Sequence, residues 1–138
     1  MWVFMSGSML SIVEPPNAEG KDRDMLLVRA RAKGDIERVF SRAQVSHTPE
    51  RDYAYRALLP RSAVAKALAQ QVKAIDYRNF KASVAEADRH DAYADAWKVM
   101  LTFQARREAA RAKARRATRH NSFLDGGSEK SHKRRKTK

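Results

Sequence analysis

The chain begins with two short apolar runs that predict β-strands. Residues 2–5 and 9–13 are separated by Ser6-Gly7-Ser8, and this spacing predicts a hairpin whose turn uses the conformational freedom of Gly7. The next segment, 15–22, contains adjacent prolines, a glycine and charged residues, which predict a loop.

Two later segments alternate between two faces, as strands with one buried side do. Residues 25–32 place Leu26, Val28 and Ala30 on one face and Leu27, Arg29 and Arg31 on the other. Residues 53–59 place Tyr53, Tyr55, Ala57 and Leu59 on one face and Ala54, Arg56 and Leu58 on the other. A weaker strand at 43–48 and a turn at 49–52 complete a second predicted hairpin.

Apolar residues three and four positions apart predict two helices in the middle of the chain. Gly34 marks the end of the strand pattern that precedes it. Asp35 is predicted to cap a short helix whose inner face is Ile36, Val39 and Phe40. Pro60 opens a longer helix. Its apolar stripe consists of Val64, Leu68, Val72 and Ile75.

The last predicted helix has Asp88 or Asp91 as its cap. Its inward face is predicted to be Tyr93, Ala96, Trp97, Met100, Leu101 and Gln104. Beyond this face, alanine, arginine and lysine replace the large apolar residues, so helix propensity stays high although nothing large remains to pack. We therefore expect a solvated basic helical extension over 105–118 and a disordered basic tail over 119–138.

The order of these elements predicts an α+β fold. Antiparallel strands followed by helices indicate a two-layer sandwich, with an antiparallel sheet of about five short strands and helices on one face. The stretch 25–75 has the order of a split β-α-β unit, so the fold is predicted to be partly ferredoxin-like. Residues 1–104 are predicted to form this small domain, followed by the long carboxyl-terminal helix and the tail.

Positive charge is concentrated at the carboxyl end of the chain. The formal net charge of the whole protein is +13. Residues 105–138 contain 13 Lys or Arg and 3 acidic residues, whereas residues 1–104 have a net charge of only +3. A nucleic-acid interaction suggested by the total charge is therefore a prediction about the tail, not about the folded domain.

Several motifs occur in order along residues 1–104. They are Met1-Trp2-Val3-Phe4, Leu10-Ser11-Ile12-Val13, Leu27-Val28-Arg29-Ala30-Arg31, Asp52-Tyr53-x-Tyr55-Arg56, Ile75-Asp76-Tyr77-x-Asn79-Phe80-Lys81 and Tyr93-x-x-x-Trp97-x-Val99-Met100. This pattern resembles a family of small, uncharacterised bacterial proteins. The resemblance implies no activity, and it leaves the basic tail outside its range.

The basic segment 105–138, which comprises the helical extension and the tail, is the first candidate binding site, because lysines and arginines bind phosphates and release condensed counterions. Its candidate nucleic-acid contacts are Arg106, Arg107, Arg111, Lys113, Arg115, Arg116, Arg119, Lys133, Arg134, Arg135 and Lys136. The alternative is an extension that only adds charge and solubility.

The arginine face of the sheet is the second candidate. Arg29, Arg31 and Arg56 project from one face if their strands are neighbours, and arginine forks bind carboxylates and phosphates. An open basic sheet could bind an anionic ligand or single-stranded RNA. Alternation places Tyr53 and Tyr55 opposite Arg56, away from the arginines, unless a bulge intervenes. The sequence favours the alternative of a solvated face with cross-strand ion pairs.

The junction before the last helix is the third candidate. Asp76, Asn79, Lys81 and His90 are polar residues there, and His90 could act as an acid or base with a carboxylate to orient it. The sequence favours a structural role in which Asn79 makes a turn hydrogen bond and His90 lies in a helical first turn.

Several classes of chemistry lack the residues that they need. The chain has no cysteine, and its four histidines show no metal-ligand spacing, so no metal site is predicted. Gly-rich nucleotide loops and a serine nucleophile elbow are missing, so no cofactor is predicted. No run approaches the roughly 18 apolar residues of a membrane span, which predicts a cytoplasmic protein with no membrane partner.

These observations favour a non-enzymatic binding or accessory protein whose basic tail contacts nucleic acid or another polyanion. One alternative is a small enzyme or anion-binding domain that uses the sheet arginines. Another is a homodimeric interaction module, because residues 2–5 are apolar on both faces of the first hairpin.

Overall fold

The computed structural model describes residues 1–16 and 23–128, with side chains up to residue 118. The described strands are β1 Trp2–Met5, β2 Ser8–Val13, β3 Met25–Ala30, β4 Ser46–His47 and β5 Tyr55–Pro60. The helices are α1 Asp35–Val39, α2 Arg61–Lys73 and α3 Ala87–Ser128, and a 3₁₀ turn spans Lys81–Ser83. The chain divides into two compact units, Met1–Asp91 and Ala92–Lys138.

The first unit, Met1–Asp91, contains an antiparallel sheet in the order β1-β2-β3-β5-β4. Strand β5 lies between β3 and β4, which are linked through α1, so these elements form the predicted split β-α-β unit. Helices α1 and α2 both contact the sheet. The predicted α+β architecture is therefore confirmed.

The core lies between one face of this sheet and helices α1 and α2. Its buried side chains are Leu10, Ile12, Val28, Ala30, Ile36, Phe40, Ala57 and Val64. The alternation of β3 is confirmed, because Val28 and Ala30 are buried in this core whereas Arg29 projects to the opposite face. Burial of these apolar side chains is the main favourable contribution to the stability of the unit.

Among the described residues, the glycine with a left-handed conformation is Gly34, and not Gly7 as the sequence pattern predicts. Gly34 has a φ of 89° and directly precedes α1. Gly7 lies in the β1–β2 turn without a positive φ.

Replacing Gly34 with alanine is expected to destabilise the protein by about 1–2 kcal/mol, because a Cβ at positive φ clashes with the backbone. Gly7→Ala is the matched control: its added Cβ would meet only the Arg38 side chain, at 3.9 Å. Urea denaturation of both variants measures the difference. Equal midpoints would show that the conformation of Gly34 is not constrained.

The apolar stripe of α2 is only partly buried. Val64 is buried and Leu68 packs against the core, but Val72 and Ile75 are 68% and 53% exposed, and Ile75 lies beyond the end of the helix. The predicted stripe is therefore correct over its first half only, because the core contacts of α2 end at Leu68.

Helix α3 differs from the prediction at both ends. It begins at Ala87, so Asp88 and Asp91 lie inside its first turns rather than at its cap. It continues to Ser128, beyond the predicted end near Thr118. The predicted tail 119–138 thus overlaps the end of α3, and residues 129–138 lie outside the described part.

The second unit shows a further correction on its apolar face. Trp97, Met100 and Leu101 were expected to face inward, but they are 50%, 60% and 48% exposed. Tyr93, which was also expected to face inward, is 7% exposed, so the predicted face is buried at its start only. Self-association through exposed apolar side chains, of this helix or of the first hairpin, stays a prediction.

Candidate functional site

The register of the sheet places a row of polar residues across the face opposite to the core. Ser11 lies opposite Arg29, Arg29 lies opposite Arg56, and Arg56 lies opposite Ser46. Directly opposite residues project from the same face, so two arginines are cross-strand neighbours. Like charges in this position destabilise a sheet unless something offsets their repulsion.

The ring of Tyr53 contacts two arginines, Arg29 and Arg31. The guanidinium carbons of Arg29 and Arg31 are each 4.5 Å from the centre of its ring, a distance typical of cation–π contacts. The expectation that Tyr53 faces away from the arginines is wrong, because β5 begins only at Tyr55 and Tyr53 lies in the preceding bend, where alternation does not apply. Since Tyr53 is 3% exposed, its ring is not a surface on which a base could stack.

Asp52 joins this bend to the arginines. Its Oδ1 accepts hydrogen bonds from Arg56 Nη2 at 3.1 Å and from the Tyr53 backbone N–H at 2.9 Å. Its backbone carbonyl accepts a bond from Arg31 at 2.8 Å, and Arg56 Nε donates to the Tyr53 carbonyl at 3.1 Å. We call Arg29, Arg31 and Arg56, with Tyr53 and Asp52, the arginine cluster.

The arginine cluster carries more positive than negative charge. Arg56 pairs with Asp52, but no carboxylate of the described residues lies within 4.0 Å of Arg29 or Arg31. Arg29 donates to Ser11 Oγ at 2.8 Å, and its Nε is buried with no acceptor among the described atoms. Asp52 lies in the bend four residues before Arg56 and not on a neighbouring strand, so the cross-strand ion pairs favoured by the sequence are not found among the described residues of this cluster.

The polar residues of the junction do not converge on one site. Asn79 Oδ1 accepts a bond from the Lys81 N–H at 3.1 Å, which is the predicted turn contact. Asp76 lines a mainly apolar cavity of about 440 Å³ beside β1 and the end of α2. His90 Nδ1 lies 3.5 Å from the exposed Asp91 carboxylate and does not line that cavity. This arrangement brings no acid–base pair into a pocket.

A buried ion pair in the first unit was not predicted. Asp35 is the first residue of α1 rather than its cap, and its side chain is 1% exposed. Arg89 Nη2 and Nη1 donate to its two oxygens at 2.7 and 3.0 Å, and the Met9 backbone N–H donates at 2.9 Å. Glu86 accepts from Arg89 and pairs with Arg38, at 3.0 and 2.9 Å. The network joins β2, α1 and the start of α3, and its saturated contacts indicate a structural role.

The basic extension is a continuous part of α3. Every residue of 105–118 is exposed, which includes Arg106, Arg107, Arg111, Lys113, Arg115 and Arg116. The guanidinium of Arg107 lies 5.9 Å from the ring centre of Phe103. Arg119 lies within α3. The remaining candidate contacts lie outside the described residues; they are Lys133, Arg134, Arg135 and Lys136.

Comparisons with protein-family models, curated proteins and solved structures gave no match. Across the described residues, no helix is both long and apolar enough to cross a membrane. The same part of the chain contains no group of three or more acidic or histidine side chains arranged to hold a metal ion. The arginine cluster and residues 105–118 are the two basic surfaces of the described chain with a bearing on function.

Proposed function

We propose that this protein binds nucleic acid through residues 105–118 of α3, as a binding protein rather than an enzyme. The observation that carries the proposal is a helical segment in which every residue is exposed, with six arginines and lysines and one acidic residue, Glu108. Gln104 donates a hydrogen bond to Glu108 at 3.0 Å, and no ion pair joins the six basic side chains to another described residue. Their charge is available to phosphates.

The dimensions of the segment suit a nucleic-acid groove. An α-helix with its side chains is about 10–12 Å across, and the major groove of B-DNA is about 12 Å wide. At a rise of about 1.5 Å per residue, 105–118 extends for about 20 Å. The residues between the charged positions are mostly alanines, whose small side chains allow the helix backbone to approach the groove.

The basic side chains of 105–118 project from several sides of the helix and not from one face alone. Arg107, Arg111 and Arg115 follow each other at intervals of four and share one face of the helix. Arg106, Lys113 and Arg116 project from other directions. A helix in a groove has phosphates on both sides. The distribution of basic side chains around the helix therefore supports binding to the sugar–phosphate backbone of the nucleic acid without selection of a base sequence.

The test is a fluorescence-anisotropy titration of the full chain with a labelled DNA duplex and a labelled RNA strand at several salt concentrations. We expect binding whose logarithmic association constant falls linearly with the logarithm of salt concentration, because bound phosphates release counterions. Similar affinities for unrelated sequences are expected. Absence of binding at low salt, or an affinity independent of salt, would overturn the proposal.

A further inference from the structure

We propose that the arginine cluster is a second, separate anion site, which takes a phosphate group in its dianionic form. The site lies on the sheet of the first unit and does not depend on the role of α3. The chemistry follows from three guanidinium groups, one carboxylate and a buried ring that two of the guanidinium groups contact.

The three guanidinium groups belong to one patch of the sheet and its adjoining bend. Arg29 and Arg31 lie over the same ring at 4.5 Å, so their guanidinium carbons are no more than twice that distance apart. Arg56 is directly opposite Arg29 in the sheet. Tyr53 is held in place by the bonds of Asp52 and Arg56, so the ring that supports Arg29 and Arg31 is fixed in advance. A preorganised site loses less conformational entropy when it binds a ligand.

The charge of the cluster selects the class of ligand. Three arginines and the Asp52 carboxylate leave two unbalanced positive charges, which match a phosphate dianion better than a singly charged carboxylate. Each guanidinium has five donors, whereas the described contacts occupy one of Arg29, one of Arg31 and two of Arg56. Donors therefore remain for the several oxygens of a phosphate, and Arg31, which is exposed, gives that phosphate access from solvent.

The experiment follows the arginine Nε–H signals of the full chain by NMR during titration with inorganic phosphate at constant ionic strength. We expect saturable shifts at Arg29 and Arg31, and none of that kind with chloride or acetate. Arg31→Gln should weaken phosphate binding by about tenfold or more, since charge-assisted bonds are lost. Arg31→Lys keeps the charge but loses the fork, and is expected to restore binding only in part.

The matched control is Arg78→Gln, which removes an exposed arginine far from the cluster in sequence and should leave the phosphate titration unchanged. Circular dichroism is used to check that each variant is folded. Shifts that stay linear, or that chloride reproduces, would overturn the site even if Arg31→Gln unfolds. Replacing the six basic residues of 105–118 should leave phosphate binding intact, so a failure here is distinguishable from a failure of the proposed function.

Two sources can supply such a phosphate, and competition distinguishes them. A short RNA strand with a 5′-phosphate and the same strand without it are each added to the phosphate-loaded protein bearing the α3 substitutions. Displacement by the phosphorylated strand alone assigns the site to a nucleic-acid end, whereas displacement by neither assigns it to a free or small phosphate. Equal displacement by both would overturn the preference for a dianion.

Discussion

Replacing Asp35 with alanine is expected to lower the free energy of unfolding by about 3–5 kcal/mol, the usual cost of removing one partner of a buried ion pair. The carboxylate is 1% exposed and accepts two bonds from Arg89 and one from the Met9 backbone. Small domains have a total stability of about 5–15 kcal/mol, so much of it would be lost. Urea denaturation monitored by tryptophan fluorescence and circular dichroism measures the change.

Glu37→Ala is the matched control for this prediction, because Glu37 is an exposed acidic residue of the same helix. A second variant, Asp35→Leu with Arg89→Met, replaces the pair by apolar side chains. It should recover much of the loss, since apolar replacement of a buried ion pair is often neutral. If Asp35→Ala were no more destabilising than Glu37→Ala, the network would not hold β2, α1 and α3 together.

The second large effect is expected on nucleic-acid affinity. Arg106, Arg107, Arg111, Lys113, Arg115 and Arg116 are all changed to glutamine, which retains good helix propensity. If each of the six contacts a phosphate of duplex DNA, the slope of log association constant against log salt becomes less steep by about five. At low salt the loss of affinity would then reach several orders of magnitude. Anisotropy titrations at four or more salt concentrations measure both quantities.

The control for this prediction changes six exposed basic residues of the first unit to glutamine. They are Lys33, Arg42, Arg51, Lys66, Lys73 and Arg78. Both variants lose the same formal charge, so a nonspecific effect of net charge would weaken them equally. We expect the control to retain most of the affinity and the steep slope. Equal losses would contradict a specific role of residues 105–118.

Much of the fold could be predicted from local patterns. Both hairpins, the strand at 25–30 and the three helices follow from alternation, helical spacing and glycine or proline at the junctions. The order of elements was enough to indicate the split β-α-β unit, because a strand, helix and hairpin in succession have few favourable arrangements. The prediction that Arg29 projects from the face opposite to Val28 and Ala30 is also confirmed.

The candidate site could be predicted only in part, because its members come from separate segments. The sequence identified Arg29, Arg31 and Arg56, but alternation assigned Tyr53 to the wrong face. Asp35 followed a glycine and preceded an apolar helical pattern, which is equally typical of a helix cap. Its partner Arg89 is distant in the chain, and no local pattern indicates such a pairing.

The sequence by itself therefore determined most of the elements, their order, the buried face of β3 and the concentration of charge in the last quarter of the chain. These properties depend on each residue and its near neighbours. The tertiary structure decided that the Tyr53 ring contacts two arginines, that the Asp52 carboxylate pairs with Arg56, and that Asp35 pairs with Arg89. Such pairings depend on strand register and on where a strand begins, because a shift of one residue moves every side chain to the opposite face.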